Sequence, residues 1–218
     1  LENVKNLETH DEGKTFKVIM KTLEDNNYRA FSQVLNTKDF GNVPHNRERI
    51  FIIAYDKEVF PGIDFKFPSK EPLTRTIRDI IQNKKVDDSY YYKEDKYMFN
   101  DLVAAMKSDE TIYQWRRQYV RENKSNVCPT LTANMGTGGH NVPLTKTIYG
   151  IRKLTPAECF AFQGFPVFEG KYSLPKLANS HLYKQAGNAV SVNTVYSIIH
   201  HLFEKNIIMT LYCGPYRI

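Results

Sequence analysis

Glu2, Arg47 and Arg49 are residues of this 218-residue chain whose types could do chemistry. A carboxyl group can accept hydrogen bonds or assist a proton transfer, and a fixed cation can steady negative charge as it develops. Arg47 and Arg49 alternate as the chain runs into the apolar stretch Ile50-Phe51-Ile52-Ile53-Ala54-Tyr55, so both side chains can face one pocket. The plain alternative is an edge-strand ion pair with Glu48 or Asp39. Cys128, Cys159 and Cys213 stand at wide, unrelated spacings that make neither a disulfide framework nor a zinc site, and read as reduced thiols. Met135-Gly136-Thr137-Gly138-Gly139 invites a phosphate-loop reading, but it lacks the Lys-Ser/Thr ending of a P-loop and the spacing of a dinucleotide fingerprint.

The elements that must position these residues follow from periodicity. Phe16, Ile19, Met20 and Leu23 recur at helical spacing, which predicts an amphipathic helix from Gly13 to about Asp25. Leu1–Val4 reads as a strand end, Tyr28–Leu35 as a strand, and Arg49–Tyr55 as a short buried strand. Strand, helix, strand, loop and strand make an α/β architecture. After about Pro61 the composition changes. Phe65 to Pro72 reads as a linker, Leu73–Gln82 as a short helix, and Thr111 to about Tyr149 as β-like and loop-rich. Residues 1–60 and 151–205 are therefore expected to form one α/β domain, with 61–150 as a small second domain and 206–218 as a tail. Thr155 is a good N-cap for a helix through Phe162, with Pro156 at N1 and Glu158 at N3. Val192, Val195, Ile198, Ile199 and Leu202 define a final helix.

With 41% hydrophobic and 25% charged residues, the chain has the composition of an ordinary globular protein. No apolar run approaches the roughly 20 residues a spanning helix needs, so no membrane is expected as a partner. The net charge of +6 favours a polyanion. Its distribution is sharper: Arg116, Arg117, Arg121, Lys124, Lys146, Arg152 and Lys153 face the single acid Glu122 between Tyr113 and Lys153. That excess is the footprint of a phosphate-facing surface.

Four segments occur in one order: Glu2-Asn3-Val4; Val43-Pro44-His45-Asn46-Arg47-Glu48-Arg49; Leu154-Thr155-Pro156-Ala157-Glu158-Cys159 running into Gln163-Gly164-Phe165-Pro166; and Tyr183-Lys184-Gln185-Ala186-Gly187-Asn188-Ala189-Val190. Together they resemble the later motifs of the bacterial DNA cytosine-5 methyltransferases, from the first residue to about Phe203. The resemblance implies the C-terminal part of a Rossmann-like, S-adenosylmethionine-dependent methyltransferase domain with a β/loop-rich target-recognition domain. It places Glu2 at N3 and the exocyclic amine of a flipped cytosine, Arg49 at O2 with Arg47 close by, and Asn188, Ala189 and Val190 at the methyl donor. Double-stranded DNA would be met by Arg116, Arg117, Thr130, Thr132, Asn134, Gly136, Thr137, Gly138, Gly139, His140 and Arg152, since glycines let the backbone approach closely and base chemistry in a duplex requires extrusion. His45 stands where many relatives carry glutamine and is assigned no role.

The family's glycine-rich cofactor loop and its Pro-Cys nucleophile would lie upstream of Leu1. Cys128 precedes a proline, the reverse order, and Cys159 sits in a segment whose family role is structural. The chain alone is therefore expected to be inactive and to need an N-terminal half, from the same gene or as a separate subunit, in a bacterial cytoplasm. The rival expectation is a non-catalytic DNA-binding specificity subunit or repressor descended from such an enzyme.

Overall fold

The computed structural model describes residues 1–62, 64–116, 118–137 and 141–204. Its first sheet has three strands, β1 (Glu2–Val4), β2 (Tyr28–Asn36) and β3 (Glu48–Asp56), in the order β1-β3-β2. Both neighbours run antiparallel to β3, with Glu2 opposite Phe51 and Leu35 opposite Arg49. Alternation sorts the side chains of β3 onto two faces. Ile50 and Ile52 join Leu7 and the apolar stripe of helix α1 (Lys14–Asp25), made of Phe16, Ile19, Met20 and Leu23. Phe51 and Tyr55 face the other way, into a cluster with Leu35, Phe40, Phe65 and Ile198. Ile198 belongs to helix α6 (Val192–Glu204), so the sheet is sandwiched between α1 and α6. Helix α2 (Thr37–Phe40) turns the chain out of β2.

Two expectations for the connecting region are corrected. Residues 65–72 are no free linker: Phe65 is buried, with its ring 5.9 Å from Phe31 and 4.9 Å from Phe67. The helix expected over Leu73–Gln82 is a single 3-10 turn, Ile77–Asp79. Thr76 and Asp79 cap that turn reciprocally, Ile77 and Ile80 are buried, and the backbone amide of Gln82 is captured by Glu158 Oε1 at 2.8 Å. Those tertiary bonds outcompete continuation of a helix whose intrinsic preference is weak.

A second antiparallel sheet has the order β5-β4-β6-β7, built from β4 (Tyr113–Arg116), β5 (Tyr119–Glu122), β6 (Leu144–Thr147) and β7 (Gly150–Lys153). Helix α3 (Phe99–Ala105) covers it through Leu102, beside Met106, Tyr113, Leu144 and Ile151; Trp115 packs at the edge of this cluster. The second sheet thus runs to Lys153, past the boundary expected at 150. Immediately after it, α4 (Pro156–Ala161) starts with the expected capping box between Thr155 and Glu158. Helix α5 (Asn179–Asn188), which the sequence pattern did not announce, buries Leu182, Tyr183, Ala186 and Gly187.

Candidate active site

Glu2 and Arg49 lie on the same face of neighbouring strands, because Glu2 pairs with Phe51 and Val4 with Arg49. Arg49 Nε is 3.2 Å from Glu2 Oε1, and the two side chains retain 15% and 22% exposure. The contact is ionic without the directionality of a hydrogen bond, which leaves Glu2 Oε1 buried and without a donor. Arg49 Nη1 donates to the backbone oxygen of Glu48 at 2.7 Å, fixing the guanidinium plane. Burial lowers the Arg49 pKa, and Glu2 opposes that shift. A carboxylate oxygen lacking a donor can accept from a ring amine, and the restrained guanidinium beside it can donate to an oxygen carried on the ring.

Arg47 does something different from the expectation that it sits beside Arg49 at the reacting ring. It is 2% exposed, and its Nη1 donates to Leu131 O at 3.1 Å. Its Nη2 donates to Gly187 O at 3.3 Å and Ala189 O at 2.7 Å. Burial is the main reason its pKa falls, to about 10, with Arg49 adding to the effect and Glu2 opposing it, so Arg47 stays cationic at neutral pH. Main-chain carbonyls thus hold both of its terminal nitrogens, and it braces the α5–α6 junction against the segment after Cys128.

That junction carries Asn188, Ala189 and Val190. Asn188 ends α5 with its side chain exposed, while Ala189 and Val190 are half-buried between the helices. Gly187 lies where α5 crosses the backbone of Thr132 and Ala133: a Cβ there would meet Thr132 C at 2.2 Å and Ala133 N at 2.4 Å. Only glycine allows this close approach.

Thr130, Thr132, Asn134 and Thr137 are all exposed along the loop expected to meet DNA. Thr130 Oγ1 donates to Asn46 O at 2.6 Å, and Thr137 Oγ1 to Asn134 O at 2.8 Å. Their hydroxyl oxygens remain as acceptors, so a phosphate contact at Thr130 falls to the backbone. Gly136 packs against α5, where an added Cβ would meet Ser180 O at 2.4 Å. Arg116 is exposed on β4 with Nη2 3.0 Å from Gln114 Oε1. Arg117, Gly138, Gly139 and His140 lie outside the described residues. Arg152, expected as a phosphate anchor, is corrected: it is 0% exposed and forms a two-pronged pair with Glu158, Nη1–Oε2 2.7 Å and Nη2–Oε1 2.6 Å. A side chain with no solvent exposure cannot reach a phosphate.

Neither described cysteine is a nucleophile. Cys128 and Cys159 are fully buried, and burial pushes both thiols well above their usual pKa, which suppresses the reactive thiolate. Cys213 lies outside the described residues.

The residue most plainly missed is His45. It is 0% exposed, its Nδ1–H donates to Phe162 O at 2.8 Å, and its Nε2 accepts from the Leu131 amide at 3.3 Å. The carbonyl can only accept and the amide can only donate, so the partners fix the neutral tautomer. Burial, aided by the charge of Arg47, lowers its pKa to about 3. An unfolded histidine titrates near 6.5, so between about pH 6.5 and 3 the unfolded chain binds a proton the folded chain refuses. Stability is complete above that window and falls as pH drops through it, by roughly 1.4 kcal/mol per unit. Urea titrations at pH 7 and pH 5 should show this loss, and His45→Gln should flatten the dependence.

The family described as C-5 cytosine-specific DNA methylase matches residues 1–204. The Type II methyltransferase M.Bsp6I of Bacillus sp. (strain RFL6) is 60% identical over 207 residues, which is 94% of this chain and 64% of that protein. M.SsoII of Shigella sonnei, also a Type II methyltransferase, is 35% identical over 97% of this chain and 52% of its own length. Among solved structures, the Dnmt2 methyltransferase of S. pombe superposes with a TM-score of 0.63 at 19% identity, covering 94% of this chain and 67% of that one. A putative DNA modification methyltransferase encoded within an E. coli prophage gives a TM-score of 0.63 at 17% identity, over 93% and 68%. The chain thus spans about half to two-thirds of the length of these relatives.

Proposed function

The chain belongs to the C-5 cytosine-specific DNA methylase family, and from that premise we propose that it is the base-holding and DNA-reading portion of a DNA cytosine-5 methyltransferase of a restriction-modification system. The observation that carries the reading is the Glu2–Arg49 pair, held on adjacent strands with one carboxylate oxygen free of donors. A cytosine extruded from its duplex would set N3 and its amine against Glu2 and its O2 against Arg49. The exposed residues Thr132, Asn134 and Thr137 and the cations of β4 and β5, Arg116 and Arg121, form the surface offered to DNA.

The α5–α6 junction fits one wall of a methyl-donor site: the exposed amide of Asn188 above the half-buried Ala189 and Val190. S-adenosylmethionine supplies the transferable methyl group when bound; the chain's own contribution is to fix that wall through the two carbonyls gripped by Arg47. The reading takes the nucleophile from a further polypeptide segment, and the burial of both described cysteines supports it. Two features support such a partner. Among the described residues the outer edge of β1 is unpaired, and α6 exposes the apolar row Val192, Tyr196, Ile199 and Phe203 at 38%, 65%, 45% and 52%. Both features mark a protein-docking surface.

The test is methyl transfer from labelled S-adenosylmethionine to duplex DNA, by this chain alone and mixed with the part of M.Bsp6I that the chain does not match. Label incorporated only by the mixture is the expected result. Incorporation by the chain alone would refute the argument from the cysteines. Silence in both, with DNA still bound, would make the chain a binding module derived from an enzyme.

A further inference from the structure

Residues 44–47 and 128–131 are far apart in sequence but laced together rung by rung. The Cys128 amide donates to Pro44 O at 2.7 Å, and the Asn46 amide to Cys128 O at 2.8 Å. Thr130 Oγ1 closes on Asn46 O at 2.6 Å. The last rung grips a single residue from both sides: the Leu131 amide is held by His45 Nε2 at 3.3 Å, and its carbonyl by Arg47 Nη1 at 3.1 Å. His45 also ties this ladder to the end of α4 through Phe162 O at 2.8 Å. Leu131 is 1% exposed, and the exposed loop begins at the next residue.

We infer that His45 is a positioning residue that sets sequence discrimination, by fixing the root of the loop Thr132–Thr137 to the strand bearing Arg49. The inference rests on the reading of that loop as the DNA-contacting one. Base edges are told apart by hydrogen bonds that fail when donor and acceptor shift by a fraction of an ångström, whereas phosphate attraction tolerates such shifts. A loosened Leu131 therefore costs discrimination and spares non-specific affinity. The role asks for one donor and one acceptor on a neutral, buried side chain. Glutamine meets that demand; leucine fills much of the space and meets neither half.

The experiment uses the full 218-residue chain with His45 intact, as His45→Gln and as His45→Leu. Backbone amide exchange at Leu131 reports the rung locally, with Ile52 of β3 as the internal reference. A pool of duplex oligonucleotides with a randomised core, sequenced before and after binding, reports discrimination, and the salt dependence of pool binding reports phosphate contacts. The intact and glutamine chains should protect Leu131 and enrich the same bases. The leucine chain should lose Leu131 protection, keep Ile52 protection and the salt slope, and lose enrichment by about tenfold, the equivalent of about 1.4 kcal/mol. If leucine unfolds the chain and Ile52 protection is lost too, His45→Asn, too short to reach both backbone groups, replaces it with the same expectation. Equal enrichment or undiminished Leu131 protection in the chain lacking the rung overturns the inference alone. No enrichment by the intact chain overturns the DNA-reading function and the inference with it.

Discussion

Glu158→Ala should remove about 3–5 kcal/mol of folding stability, the usual cost of deleting one partner from a fully buried ion pair. Glu158 and Arg152 both have no solvent exposure, and two short bonds join them. The same carboxylate accepts from the Thr155 amide at 2.8 Å, closing the cap of α4, and from the Gln82 amide at 2.8 Å. Alanine would strand a buried guanidinium and two backbone amides together. Urea unfolding at pH 7 should show a lower midpoint with an unchanged slope. Replacing both partners, as Arg152→Met with Glu158→Leu, should recover part of the loss, because no charge is then left unpaired. A single-variant loss below about 1 kcal/mol would mean that water reaches the pair after all.

Arg49→Ala should lower kcat/KM for methyl transfer by the complemented protein about 10²–10³-fold, the range for deleting one preorganised donor from a site where charge develops. DNA affinity should change little, because Arg49 faces Glu2 inside the site and the exposed cations Arg116 and Arg121 lie on the other sheet. Arg47→Ala makes the informative contrast. It would release three main-chain carbonyls, at Leu131, Gly187 and Ala189, and so should lower the melting temperature as well as the rate. If both variants lost activity and stability in equal measure, the division of labour between the two arginines would be wrong.

Much of this was legible in the sequence, and the gaps have physical causes. Helix α1 follows from periodicity, because it packs one regular face against one core, and β3 from a continuous apolar run, because both of its faces are covered. The cap of α4 was readable because capping is local, confined to Thr155–Glu158, and chemically specific. Helix α5 was not, since Leu182, Tyr183, Ala186 and Gly187 are too few and too mixed to make a stripe, and the crossing that buries Gly187 is tertiary. Arg152 misled because charge says nothing of burial. Its partner Glu158 was already assigned to a cap, and the pairing depends on β7 ending beside α4. His45 was visible only as a departure from a familiar pattern. Its partners, Leu131 and Phe162, lie 86 and 117 residues away, and no local rule connects them. The two arginines looked equivalent by alternation, but Arg47 precedes the regular strand and is drawn to three carbonyls from two distant segments.

The run of β7 to Lys153 and the bond from its Arg152 to Glu158 set the terms on which the small sheet could be exchanged between relatives. A chimera joined at residue 150 would take the last strand of the small sheet from one parent and the rest of that sheet from the other. A seam placed after Lys153 keeps the sheet whole, but it cuts between the cation and its carboxylate. The two halves then assemble only if the recipient brings a glutamate at the position of Glu158 to meet the donor's arginine. One buried bond therefore acts as a compatibility key between the small sheet and the helical segment that follows it.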